Sequence, residues 1–542
     1  MTERHHVVCR MKSYIQPFER GLAFAELRSL SRGSTAAPLE GDPEGVLFTT
    51  CTRRDVDVLR QRLTYWDTVW EGSSTWGSGG PTVQVRREAT WAMAKNGKTP
   101  SEVVREVTNG GELSLPKQRV LRYGPHGLHE YRGKFFPQLV RSLLNIAGVE
   151  EDSVVLDPMC GSGTTLVEAV LLGCSAIGVD LNPLSALMSR AKVGILGKSP
   201  DALLAEHEAL QRRIERLRSA KAGRSAWSTR LQQRDQEYLR RWFSNDALAS
   251  LDLISMAVQE TKDIECRLIF MMSLSNIIRR VSWQREADLR VRKAVDPEKG
   301  VDAVLLFLEE TRRSASAIGA MLAADEGRAP GACEVLEGDV RDVGMGLFSR
   351  YANRVDVILT SPPYATALPY IDTDRLSLCY LNLLPRGEHR KTERRMIGNR
   401  EISEGERARL LEVFEEEQGS LPQAVTELVR TVRTLNEGAD VGFRRRNSAA
   451  LLSAYFTEMT GVLSGIRRLL RRGGRAFLIV GSNHTIAGGE RVEIATDRLL
   501  AEIGESVGLV VEQFMAMEML ASRDIFKKNA GSVETLIEFR KR

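Results

Sequence analysis

Paired cysteines are missing from this sequence: none of its seven cysteines stands in CxxC spacing, and their number is odd. A zinc knuckle needs thiolates at short fixed spacing and a disulfide framework needs an even set. The pattern therefore excludes both and fits a reducing compartment. The seven histidines include His126 and His129, but no HExxH and no carboxylate cluster accompanies them, so a polar loop is expected there and no metal. Long apolar runs are also scarce. No stretch approaches the roughly 18 residues of a membrane span, and the opening MTERHHVVCRMK holds no signal-peptide core. A cytoplasmic protein with no membrane partner is expected.

Length and clustered positive charge are what the chain does have. At 542 residues it exceeds what one hydrophobic core supports and implies two or three domains. The net charge of +5 is modest, but the arginines are grouped. Arg444-Arg445-Arg446, Arg467-Arg468, Arg471-Arg472 and Arg475 lie close together, and a second group runs from Arg279-Arg280 to Lys293. Such groups are solvated faces or tracks for a phosphate backbone.

Residues 1–115 alternate short apolar pieces with stretches such as SRGSTAAPLEGDPEG, and read as an N-terminal α+β accessory domain without assignable chemistry. Ser153–Asp157 (SVVLD) reads as a buried strand, followed by a glycine-rich turn, a helix over 163–172 and a second strand, Ser175–Asp180 (SAIGVD). Strand, helix and strand in so short a span form a βαβ unit, so an α/β fold with a mostly parallel sheet follows. Residues 196–332 interrupt the alternation with helical periodicity, as in AEHEALQRRIERLRSA, and read as a helical insertion. Strands resume at 333–339 and 355–360. A helix over 453–470 leads to a strand at 475–481, and runs at 508–519 and 533–540, joined by the polar SRDIFKKNAGS, suit a terminal antiparallel pair. The α/β core is thus split into 116–195 and 333–542.

The turn Asp157-Pro-Met-Cys-Gly161-Ser-Gly163-Thr-Thr follows a strand and opens a helix. A Walker loop needs Gly-Lys-Ser/Thr, and no lysine precedes Thr164-Thr165. The dinucleotide fingerprint needs a third small residue, and position 166 is Leu. A third ligand fits better. Gly161 and Gly163 let backbone approach it, Asp157 can accept from a cationic amine, Asp180 from a ribose diol and Asp339 from an adenine amine. Carboxylates at successive strand ends lie along the ligand crevice of such sheets. A ligand with an ammonium, a ribose and an adenine but no phosphates is S-adenosylmethionine. The simpler alternative is that Asp157 and Asp180 only cap helices.

DPMCGSGTT together with TSPPY (Thr360–Tyr364) resembles the paired motifs of the amino-methyltransferases of DNA, and SPPY is most similar to the cytosine-N4 group. KFFPQLVRSLL, just before the first strand, resembles the family's cofactor-side segment. The resemblance implies a Rossmann-like class I methyltransferase sheet and S-adenosylmethionine as cofactor. It implies cofactor contacts at Phe136 and Pro137, along the turn at Pro158, Ser162 and Thr164, and at Asn182 after the second strand. It also implies double-stranded DNA as partner; no nuclease motif is recognisable in the sequence, so any restriction partner is expected to be a separate protein. The helical insertion separates the two motifs, which resembles the arrangement with the recognition region between them. The segments IIRRVSWQREADLRVRK and PRGEHRKTERRMIGNRE mix arginine with polar hydrogen-bonders, as a groove-facing surface would.

Two consecutive prolines at a strand end remove two donors and lock two φ angles, more than a simple turn requires. An exocyclic amine on a nucleobase is a poor nucleophile because its lone pair is delocalised into the ring. Ser361 Oγ and the Pro362 carbonyl can accept its two N–H groups and aim the lone pair. Pro362-Pro363 keep that carbonyl stiff, and Tyr364 offers a face on which an extruded base can stack. The expected reaction is methylation of cytosine N4 in duplex DNA. Adenine-N6 methylation, methylation of an RNA base amine and a non-catalytic cofactor-binding module are the alternatives.

Overall fold

The computed structural model describes residues 5–31, 36–39, 42–50, 53–72, 79–95, 97–110, 114–131, 133, 135–219, 230–285, 293, 301–325, 329–342, 346–365, 370–399, 402–518 and 533–542. The SRDIFKKNAGS connection, Lys134 and most of the 286–300 segment lie outside the described residues.

Among the described residues up to Pro81 there are five strands, β1 (His5–Met11), β2 (Ala36–Leu39), β3 (Asp42–Thr50), β4 (Trp66–Glu71) and β5 (Gly79–Pro81). They form one antiparallel sheet in the order β2-β3-β1-β4-β5. Helices Pro17–Leu30, Arg53–Arg62, Val83–Ala94 and Pro100–Thr108 complete the α+β unit. Its packing does not stop at residue 115. Val7, Leu22 and Trp66 share one apolar cluster with Leu139, Leu143 and Val155 of the following segment. Buried Glu168 accepts from Tyr123 Oη at 2.7 Å and from Arg141 at 3.2 Å, and lies 2.8 Å from His126. His126, expected in a polar loop, is thus a fully buried part of that junction.

The second sheet has seven strands. These are β6 (Val154–Asp157), β7 (Ser175–Asp180), β8 (Cys333–Glu337), β9 (Val355–Thr360), β10 (Leu470–Gly481), β13 (Val510–Glu518) and β14 (Val533–Arg540); β11 (Asn483–Ala487) and β12 (Glu490–Ile494) form a separate hairpin. The order is β13-β14-β10-β9-β6-β7-β8. β6 through β10 are mutually parallel, and the near-continuous apolar runs of β6, β7, β9 and β10, VVL, AIGV, VDVIL and AFLIV, are those of strands buried on both faces, whereas β8 (CEVLE) is the edge strand. β14 lies antiparallel between β10 and β13. The terminal antiparallel pair is present, with the last strand inserted inside the sheet edge instead of added outside it. Arg471–Gly474, expected as a connection, belong to β10, whose register against β9 shifts between Leu470 and Arg475.

Among the described residues of the stretch expected to be a helical insertion stand the helices Pro200–Ser219, Gln233–Arg240, Asn245–Gln259, Ile264–Val281 and Ala303–Ala324. Their apolar faces share a cluster with Ile371, Leu376 and Tyr380 of helix Tyr370–Tyr380, which follows the Ser361–Tyr364 turn. Helix Ser448–Leu469 is long and apolar enough to cross a membrane by length and composition. Its Leu452, Phe456 and Leu463 are buried in one cluster with Ile358 and Leu478 of the sheet, the role of a core crossover helix. Helices Glu404–Glu416 and Gln423–Glu437 and the β11–β12 hairpin were not expected from the sequence.

Candidate functional site

Parallel strands in the spatial order β8, β7, β6, β9 bring four carboxyl ends side by side. Asp339 follows β8 by two residues, Asp180 ends β7, Asp157 ends β6, and Ser361 follows β9 directly. All four line a single open crevice of about 790 Å³, together with Pro158, Gly161, Ser162, Thr164 and Pro363. The two motifs, about two hundred residues apart in the chain, therefore meet at one place because β6 and β9 are neighbours.

The glycine turn is shaped by positive φ at Gly161 (48°) and Gly163 (76°). A Cβ on Gly161 would stand 2.9 Å from the Tyr131 hydroxyl, and one on Gly163 would stand 2.7 Å from Ser189 Oγ. Gly161 thus lets a crevice-lining aromatic close onto the turn. Gly163 serves a different need, the approach of helix Pro183–Gly194. That helix holds the turn from behind: Ser189 donates to the Gly161 carbonyl at 3.1 Å and buried Lys192 to the Ser162 carbonyl at 2.8 Å.

The three carboxylates differ in environment. Asp157 is buried and accepts from the Met159 amide at 3.2 Å; burial pushes its carboxyl up to about 7 despite the pull of the Thr165 and Thr360 hydroxyls. Asp180 accepts from the Gly161 and Asn182 amides, each at 2.8 Å, and burial pushes it up to about 6. Asp339 is gripped by Arg341 at 2.8 and 2.6 Å, with Arg395 at 3.4 Å. Its partial burial pushes the carboxyl up, but the Arg341 hydrogen bonds and charge outweigh this and hold it low. With both oxygens of Asp339 taken, the neighbouring Gly338 and Val340 present the rest of that strand end to the crevice.

Five other expected residues stand behind the crevice lining or beside it. Phe136 precedes helix Pro137–Ala147, and the Arg119 guanidinium sits 4.7 Å from its ring centroid; Pro137 is buried at the first helical position. Phe135, one residue earlier, is the ring that lines the crevice. Asn182 caps helix Pro183–Gly194 by accepting from the Leu184 amide at 3.0 Å, and donates to Asp374 at 3.0 Å. Pro362 is buried, and Tyr364 hydrogen-bonds Glu534.

Among the lining residues that sequence reasoning missed are Tyr131, Gly133, Tyr370, Arg395, Met396 and Ile397. Tyr131 and Tyr370 stack with centroids 6.3 Å apart and planes 16° apart. A signal for Tyr131 was present, an aromatic just upstream of KFF. Arg395–Ile397, in the PRGEHRKTERRMIGNRE segment expected to face a DNA groove, reach the crevice from the end of helix His389–Arg395. Among the described residues, no group of three His, Cys, Asp or Glu is placed to hold a metal ion.

A family model described as DNA methylase matches residues 61–187, and one described as an RMKL-like methyltransferase domain matches residues 129–262. The type II methyltransferase M.MjaII of Methanocaldococcus jannaschii is 23% identical over 320 residues, covering 45% of this chain and 60% of the relative. M.BsoBI of Geobacillus stearothermophilus is 21% identical over 425 residues, covering 71% and 78%. The tRNA (guanine(10)-N2)-dimethyltransferase of Methanocaldococcus jannaschii is 46% identical over 50 residues, covering 9% and 14%. The chain thus spans less than two thirds of the first and the last of these relatives. The strand order above is that of a Rossmann-like fold, and the matched segments are similar to methyltransferase domains. More narrowly, residues 61–187 are similar to a DNA methylase domain, and the relatives matched over the longer spans are type II methyltransferases.

Proposed function

We propose that this protein methylates the exocyclic N4 amine of a cytosine flipped out of duplex DNA. The observation that carries the reading is the placement of Ser361 and Pro363 on the same crevice as Asp157, Gly161 and Asp180. The crevice fits S-adenosylmethionine chemically. Buried Asp157 and Asp180 suit a cation and a diol, and Phe135, Val340 and Ile397 supply apolar surface for a purine. The cofactor supplies an electrophilic methyl on a sulfonium. The protein's part is to grip and orient the amine. Ser361 Oγ and the Pro362 carbonyl accept its two N–H groups. Pro362-Pro363 hold that geometry without ordering cost, and Tyr364 stacks on the base.

Transfer of labelled methyl to duplex DNA, followed by nucleoside mass analysis, tests the reading. N4-methylcytosine is the expected product, and N6-methyladenine would reassign the base. The short match to a tRNA (guanine-N2) methyltransferase favours a second reading, an RNA base amine, which label in RNA alone would establish.

Affinity for S-adenosylmethionine should weaken as pH falls from about 8 to 5. A cation beside Asp157 and Asp180, held at about 7 and 6, requires them ionised, so the slope approaches one log unit per pH unit for each carboxylate that must ionise. In the ligand-free protein the sign is opposite. Both groups are raised, so the stability they contribute is complete below the ordinary carboxylate range and is lost as pH rises through 6 to 7. The thermal shift produced by the cofactor should therefore widen toward pH 8, and Asp157→Asn should flatten that trend. A shift independent of pH would place the cation away from both carboxylates.

DNA affinity should fall steeply with salt. Arg471 pairs with Asp356 and Arg475 with Glu538 at 2.7 Å, both near the start of β10 and so at the sheet edge opposite the crevice. Arg444, Arg445 and Arg446 instead lie exposed just before helix Ser448–Leu469, whose start faces the crevice edge because it runs antiparallel to β10. Replacing these three by Ala should flatten the plot of log K against log salt by about 0.9 for every phosphate that is no longer neutralised. An unaltered slope would shift the phosphate-binding role to the Arg279–Lys293 segment.

A further inference from the structure

The last strand contributes to the Ser361–Tyr364 turn from the far end of the chain. In the antiparallel pairing of β10 and β14, Gly481 stands directly opposite Glu534. Directly opposed residues project from the same face of a sheet, so a side chain at 481 would occupy the ground beside Glu534. Glycine leaves it bare, and the Tyr364 ring fills it: a Cβ on Gly481 would stand 3.1 Å from Tyr364 Cζ and 3.3 Å from its hydroxyl. The tip of the same ring donates to Glu534 Oε1 at 2.6 Å. The next residue on each strand is tied down as well. Ser482 Oγ and Thr535 Oγ1 both donate to Asp497, at 2.8 and 3.0 Å.

We infer that Glu534 is a positioning residue that, with the bare backbone of Gly481, fixes the ring of Tyr364 before a base arrives. The inference rests on the reading above, in which Tyr364 stacks on the flipped base. A ring free to rotate must be ordered during each flipping event, and that cost adds to unstacking and unpairing the base. A ring already held by its hydroxyl and by one packed face does not incur it.

The test is single-turnover methylation of matched duplexes and of duplexes mismatched at the target, with the wild type, Glu534→Ala, Glu534→Gln, Tyr364→Phe and the Tyr364→Phe/Glu534→Ala double variant. Glu534→Ala should slow the matched duplex about tenfold, the loss expected for one hydrogen bond to a charged group. The defect should shrink on the mismatch, which is cheaper to open. Gln, which keeps an acceptor at the same place, should restore most of the rate. The double variant should be no slower than the worse single one, because both remove the same hydrogen bond. Affinity for S-adenosylmethionine should stay unchanged throughout. Wild-type rates for Glu534→Ala, or an equal loss on both duplexes that Gln does not relieve, would overturn the assignment. A wild type that transfers no methyl to either duplex is a failure of the parent reading. The hydrogen bond is then decided by thermal denaturation of the same variants, where absence of coupling between Tyr364→Phe and Glu534→Ala rejects it.

Discussion

Ser361→Ala should lower kcat about 10²- to 10³-fold while leaving the cofactor's dissociation constant unchanged, by analogy with deleting one preorganised polar contact. On the function proposed above, the variant removes one acceptor from the target amine, while Pro362 and Pro363 keep the backbone and Asp157, Gly161 and Asp180 keep the other side of the crevice. The loss should fall on catalysis more than binding because the grip on the nitrogen strengthens as it becomes tetrahedral. Matched and mismatched duplexes should suffer alike, since the hydroxyl acts after the base is out. Rates near wild type, with the fold intact by calorimetry, would make the turn structural and end the amino-methyltransferase reading of this site.

Asp180→Ala should raise the dissociation constant for S-adenosylmethionine about 10- to 100-fold, the effect of losing charge-assisted hydrogen bonds worth about 1.5–3 kcal/mol. The geometry adds a second source of loss. Asp180 also accepts from the Gly161 and Asn182 amides, so the variant loosens the glycine turn and the start of helix Pro183–Gly194 together. Asp180→Asn keeps one oxygen acceptor and should retain part of the affinity and most of the thermal stability. Titration calorimetry on both variants separates the contributions. Unchanged affinity in Asp180→Ala would leave the residue as an organiser of the turn alone.

The features legible in the sequence are those settled within a few residues. A buried strand ending in Asp157 and running into glycines, or one ending in Thr360 and running into Ser-Pro-Pro, places its polar residues at a carboxyl edge whatever the rest of the chain does. The βαβ spacing then makes the strands parallel, which is why both motifs could be expected to face one crevice. The same locality limits what the sequence conveys about the crevice lining. Whether Phe135 or Phe136 lines the crevice depends on a helix start and on Arg119, which binds the second ring. The carboxylate of Asp339 stands at a strand end like the other two, and Arg341, two residues away, takes it. Neither competition leaves a periodic signal.

Clusters of arginine were legible as clusters and illegible as surfaces. Arg444–Arg446 and Arg471–Arg475 look alike in sequence, yet one lies at the crevice end of helix Ser448–Leu469 and the other at the opposite sheet edge in ion pairs with Asp356 and Glu538. A helix followed by a strand reverses direction, so about 25 residues of chain carry similar charges to opposite ends of the molecule.

By itself the sequence determined the parallel core, the glycine turn, the Ser361–Tyr364 corner and the acidic strand ends, because each follows from backbone conformation and side-chain pattern over a short span. Only the tertiary structure decided which strands are neighbours, and with that everything that crosses the sheet. Insertion of β14 between β10 and β13 sets Glu534 opposite Gly481 and under Tyr364, residues 170 positions apart in the chain. Such an arrangement depends on strand order and register, and these are fixed by burying the whole apolar surface at once and not by any segment's own preference.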